Sequence, residues 1–374
     1  MLTAALSLGG ITAVGAGEPR VPAAVDAVHP FFASLGANGR ACASCHYPDD
    51  GWTITPGRLQ RRFESTDGLD PVFRPADGAD CATADVASVE ARRTAYSRLL
   101  DKGLIRVTLA VPLNAEFEVL AADNPYGCSS REQLSLYRRP PPLMNFDVLS
   151  VVMWDGRHST GGRALEDDLA AQAIEAAQLH GEADRPPTAG QVSAIVAFQR
   201  SLAPSHPRSA NRAVDPRLAA AISRGEAVFK TRVFLIAGVA GFNDERGQTL
   251  IVGSCLTCHD VHTVGRRTAT ALLDIGVNHP ARRTPDLPVF TLRCTRTGEI
   301  VHTLDPGRAL VTGACRDIGK IKEPVLRGLA ARAPYFHNGS APTLLEVVEF
   351  YNGRFQIGLS PQEKDDLVTF LRTL

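Results

Sequence analysis

Cys42-Ala43-Ser44-Cys45-His46 and Cys255-Leu256-Thr257-Cys258-His259 are the stretches on which the reading of this chain turns. Each sets two cysteines one turn of chain apart, with an imidazole directly after the second. That donor set can form two thioethers to a porphyrin and place a neutral imidazole beneath its iron. Two other chemistries use similar spacing: a zinc site with three ligands from each motif, or a dithiol redox pair. Two complete motifs in one chain favour two covalently bound haem c groups. Cys42, Cys45, Cys255 and Cys258 are then the attachment points, and His46 and His259 the axial ligands.

Outward from the motifs, a chain of 374 residues suits two domains of roughly 100–200 residues each. Aromatic residues are scarce at 6%, and a haem in each domain would supply the missing flat apolar surface. The formal net charge is zero, which gives no reason to expect a nucleic-acid or anionic-membrane partner. Residues 1–24 read as a leader: residues 2–16 are apolar and small, Val14-Gly15-Ala16 offers a cleavage site, and Gly17-Glu18-Pro19-Arg20 breaks the run. That stretch is short for a membrane span and no later one qualifies, so none is expected in the mature chain. Outside the haem motifs remain Cys81, Cys128, Cys294 and Cys315. Three pairings are open; the local one, Cys81–Cys128 and Cys294–Cys315, is favoured, and paired cysteines fit an exported, periplasmic protein.

The expected architecture is all-α, two cytochrome c-type domains with a partly β insertion in the first. The N-terminal domain covers 25–203 with the insertion at 53–142, residues 204–216 form a proline-containing linker, and the C-terminal domain covers 217–374. Within the insertion, Asp67-Gly68, Asp77-Gly78 and Asn124-Pro125-Tyr126-Gly127 signal turns, and residues 105–111 and 116–120 alternate like strands. Helical spacing marks 164–179, 190–202, 217–229 and 361–374. The succession of helix, haem motif, loops and terminal helix occurs twice, as in an internal duplication.

Trp154-Asp155-Gly156-Arg157, the following Gln- and Ala-rich helix, the second haem motif and Ala333-Pro334-Tyr335-Phe336-His337-Asn338-Gly339-Ser340 together resemble the bacterial dihaem cytochrome c peroxidase family, to which MauG belongs. The resemblance covers most of the chain outside 53–138. It implies that H2O2 reacts at the first haem, while the second stores or passes electrons. The electron source would be a small cytochrome, a cupredoxin or a side chain of a partner protein. Trp154 matches the family tryptophan between the haems, and Arg157 is a candidate partner for a haem propionate, since a guanidinium suits a carboxylate bidentately. Gln172 and Glu182 stand ten residues apart, as do the family glutamine and the glutamate that does acid–base work on peroxide. Gln172 lies further from Trp154 than in the family pattern, which keeps His180 open as the distal group.

The family's calcium position falls at Arg139 and Arg332, and two cations disfavour a hard divalent ion. His262, His279, His302 and His337 read as loop residues rather than ligands. Met1, Met144 and Met153 all precede the second motif, so a methionine ligand for the second haem would have to cross domains. Tyr351, fourteen residues after His337, takes the matching place, and a phenolate would lower the haem potential. The alternative reading is an electron-transfer cytochrome with no turnover of its own.

Overall fold

The structure is a computed structural model that describes residues 29–146, 149, 151–159, 163–202, 215–259 and 272–374. The leader, nearly all of the linker and His262 lie outside the described residues.

The first haem motif begins a short 3-10 turn, Cys42–Ser44. Three helices follow, α1 (Pro56–Thr66), α2 (Val89–Ala95) and α3 (Ser97–Lys102), and then three strands, β1 (Ile105–Ala110), β2 (Phe117–Asp123) and β3 (Gln133–Arg138). Helices α4 (Leu165–Leu179) and α5 (Ala189–Ser201) cover the first site, and Thr188 and Gln191 form a reciprocal cap that starts α5. The second half opens with α6 (Pro216–Thr231), whose Pro216 takes the position where a missing N–H costs nothing. The 3-10 turn Cys255–Thr257 lies between β5 (Leu250–Gly253) and β6 (Leu272–Leu273), with β4 (Phe234–Ala237) before them. Then come β7 (Val289–Cys294), β8 (Ile300–Thr303), α7 (Ala309–Thr312), β9 (Ile321–Lys322), α8 (Leu344–Arg354) and α9 (Pro361–Leu371).

The chain is mostly helical with small sheets, so the all-α expectation needs correction. Strands are not confined to the insertion: β4 pairs β5, β7 pairs β8 and β6 pairs β9 in the second half. The insertion in turn is partly helical. Strand β2 leaves it to pair with β7, building a three-stranded β2-β7-β8 sheet from both halves of the sequence. Phe117, Phe290 and Leu292 are buried there, and this common core is what holds the insertion against the second half.

The expected helices stand with shifted ends. The last stops at Leu371 rather than 374, although Leu374 stays buried. α6 and α9 approach closely because Gly225 has no side chain: a Cβ there would lie 2.0 Å from the Asp366 carbonyl oxygen. Both disulfides are the local ones, Cys81–Cys128 and Cys294–Cys315. Among the described residues, no helix is long and apolar enough to cross a membrane.

Candidate haem sites

Two cavities adjoin the two motifs. The N-terminal one holds about 1150 Å³, including space open to solvent, and is lined by Cys42, Cys45, His46, Gln172 and His180. The C-terminal one holds about 1790 Å³ on the same measure and is lined by Cys255, Cys258, His259, Trp154 and Tyr351. Pro140, Pro142 and Lys322 line both, so they form a common wall.

The donor chemistry fits haem c. Burial lowers the pKa of His46 to about 4, which keeps the ring neutral, the form that binds iron. Its Nδ1 stands 2.9 Å from the Trp52 backbone oxygen, which leaves Nε2 for a metal. Burial pushes the thiols of Cys42 and Cys255 up to about 11 and that of Cys258 to about 12. A working dithiol pair needs the opposite shift. Among the described residues, no three His, Cys, Asp or Glu side chains converge on a point that could hold a metal ion.

The N-terminal cavity carries an acid–base group. α4 ends at His180, whose Nδ1 lies 2.6 Å from Asp77 Oδ2. Arg40, two residues before Cys42, holds the other Asp77 oxygen at 2.6 Å. Burial pushes the Asp77 carboxyl up, but Arg40 and His180 outweigh it and keep its pKa below the usual value. The loop after α4 is fixed from the same side. Asn38 donates to the His180 carbonyl, and a Cβ on Gly36 would sit 1.9 Å from the Gly181 oxygen.

The expected site residues are placed as follows. Gln172 lines the cavity and accepts from Gln199 at 3.3 Å. Glu182 is exposed, outside the lining, with a left-handed backbone at φ 54°. The structure thus brings Gln172 and His180 to the first site and leaves Glu182 out of it. Arg157 lines neither cavity; it is held by Asp155 at 3.2 Å and Glu175 at 3.1 Å. Trp154 is buried in the wall of the C-terminal cavity and donates from Nε1 to the Arg139 carbonyl at 2.7 Å. Its own carbonyl accepts from the Lys322 N–H, also at 2.7 Å.

Tyr351 shares the C-terminal cavity with His259, their ring centroids 6.2 Å apart at 77°. Met144 and Met153 do not line that cavity, and Met153 lines the N-terminal one instead. Arg139 donates to the carbonyls of Pro334 and Ile54, and Arg332 to that of Val325. Of the spare histidines, His337 is buried against Asp305, His279 starts a 3-10 turn and His302 lies on β8. Sequence reading missed Asp77, Arg40, Lys322 and Glu323. Only Arg40, by its closeness to Cys42, gave any local signal.

A cytochrome-c peroxidase of Denitromonas iodatirespirans is 33% identical over 141 residues, 33% of this chain and 36% of its own length. The cytochrome c551 peroxidase of Nitrosomonas europaea is 32% identical over 133 residues, 34% of this chain and 33% of its own. A cytochrome c peroxidase of Escherichia coli (strain K12) is 44% identical over 79 residues, 21% of this chain and 17% of its own. Over those stretches the chain is similar to bacterial cytochrome c peroxidases. Its matches span about a third or less of these relatives' lengths. The family described as RoxA-like, cytochrome c-like matches residues 322–355, which run from the wall between the cavities through Tyr351. Among solved structures, a MauG-like protein associated with microbial copper homeostasis is 17% identical with a TM-score of 0.43, covering 92% of this chain and 87% of its own. The two motifs and the cavities beside them would give each of two haem c groups a place.

Proposed function

We propose that this chain is an H2O2-dependent oxidoreductase, with peroxide handled in the N-terminal cavity and electrons supplied through the C-terminal one. Haem bound at both motifs would supply the redox chemistry. The observation that carries the reading is the Arg40–Asp77–His180 chain on the wall that His46 shares. With Nδ1–H donated to Asp77, Nε2 of His180 is an acceptor that can take a proton from one peroxide oxygen and return it to the leaving one. Gln172 is a second polar group on the same wall, suited to orienting the substrate.

Electrons must cross the common wall. Trp154 and Lys322 are joined there by a backbone hydrogen bond, and the Trp154 indole is the candidate relay. Tyr351 is the candidate sixth ligand of the C-terminal haem. An anionic ligand there lowers the potential, which suits oxidation of a partner protein's side chain better than acceptance of electrons from a high-potential donor. A small cytochrome or cupredoxin remains the other electron source. The two disulfides fit an oxidising compartment, and the periplasm is the proposed location.

The test is the ferric spectrum of the holoprotein followed by rapid mixing with H2O2. One high-spin and one low-spin haem, with fast reaction at the high-spin one, is expected. Two low-spin haems and no reaction, in either the oxidised or the half-reduced protein, would make the chain an electron carrier. If one of those haems turned high-spin in His180→Ala or Met153→Leu, the group removed would be a ligand blocking that face.

A further inference from the structure

The two candidate axial imidazoles are held by unlike acceptors. Nδ1 of His46 faces the neutral backbone oxygen of Trp52. Nδ1 of His259 lies 2.7 Å from Glu323 Oε1, with side-chain exposures of 11% and 6%.

The backbone explains why the carboxylate is there. Glu323 directly follows β9, which is anchored by its pairing with β6 and by the Lys322 N–H on the Trp154 carbonyl. Pro324 follows and restricts Glu323 to extended geometry. The side chain is therefore delivered to the wall of the C-terminal cavity, which it lines with His259.

We propose that Glu323 is a positioning residue for the C-terminal haem: by accepting from Nδ1 of His259 it orients the ring and gives the imidazole anionic character. A carboxylate draws the Nδ1 proton more strongly than a carbonyl does, so Nε2 becomes a better donor and ferric iron is favoured. The unlike acceptors then help to set the two haems at different potentials, with the C-terminal one lowered. The proposal rests on the reading of His259 as an iron ligand.

The experiment titrates both haems spectroelectrochemically in wild type, Glu323→Gln and Glu323→Asp holoprotein, with haem content measured separately. Two haems per chain in wild type secure the underlying reading, and one would sink that reading first. In Glu323→Gln the ferrous-to-ferric ratio of the C-terminal haem at a fixed potential should rise about tenfold, a positive shift of ~59 mV for a one-electron couple. The N-terminal haem should not move. Glu323→Asp should shift in the same direction, because the shorter side chain keeps its charge but withdraws from Nδ1. An unmoved potential in Glu323→Gln overturns the proposal, as does an Asp variant that matches wild type while Gln shifts, since charge alone would then act. Should neither variant load haem, resonance Raman of ferrous Tyr351→Phe holoprotein, in which the C-terminal iron is freed of its proposed sixth ligand, decides: the iron–imidazole stretch should lie higher for the C-terminal haem, and equal stretches overturn the proposal.

Discussion

An imidazole moves a proton usefully only when its other nitrogen is held, and Asp77 does that for His180 at 2.6 Å. His180→Gln should therefore slow the reaction with H2O2 by about 10²–10⁴ with both haems retained. Asp77→Asn should slow it less, because the ring stays in the cavity with its tautomer less well fixed. Glu182→Gln should leave the rate near wild type, since that side chain is exposed and off the lining. Rapid-mixing rates on the three variants check this, and a slow Glu182→Gln beside a fast His180→Gln would return the role to Glu182. Tyr351 is tested by spectrum and potential: Tyr351→Phe should leave the C-terminal haem five-coordinate or water-bound, with a raised potential. An unchanged spectrum and potential would remove Tyr351 as the ligand. At this scale, the sequence singled out the cysteines and histidines of the two motifs because their spacing is local. It did not show Asp77, which lies 103 residues from His180 and becomes its partner only when the insertion folds back on the cavity.

Four helices, α4, α5, α6 and α9, were legible because helical spacing shows within a few turns, and Ser360 and Glu363 cap α9. α1, α2, α3 and α8 drew no expectation from the sequence. The strands of the second half were not legible either, because β4, β5 and β8 are four residues each, too short for alternation to stand out. Strand β2 was visible as a strand, but its partner β7 begins more than 160 residues later. The disulfides hold this region at both ends: Cys81–Cys128 closes a separation of 47 residues within the insertion, and Cys294–Cys315 closes 21 where β7 ends. Replacing Cys81 and Cys128 together by Ser should cost about 2–5 kcal/mol. Limited proteolysis should show the loss first, as cleavage between 81 and 128 before either haem spectrum changes. Simultaneous loss of both haems would instead mean that the insertion is needed for the N-terminal cavity to form.

On the scale of the whole molecule, the halves are joined by a buried charge cluster rather than by apolar contact alone. Arg138, at the end of β3, donates to Asp155 beside Trp154 and at 2.7 and 2.8 Å to Asp305 beyond β8. All three side chains are at most 5% exposed. Burial pushes both carboxyls up, but the Arg138 charge outweighs it and holds both below the usual range. Removing the central cation from such a cluster costs about 3–5 kcal/mol, because two buried carboxylates keep only Arg157 at Asp155 and His337 at Asp305. Arg138→Met should therefore lower the denaturation midpoint of the holoprotein sharply at neutral pH. A carboxyl with a depressed folded pKa gives stability that is complete above its unfolded value, about 3.9, and is lost as pH falls through the folded value. In Arg138→Met the two aspartates lose the largest cause of that depression, with Arg157 and His337 still in place, and protonation relieves them at a higher pH than in wild type. The gap between the proteins should thus be largest near pH 7 and shrink steadily below about pH 5. A gap of constant size down to pH 3 would show that Arg138 acts through packing and not through its charge.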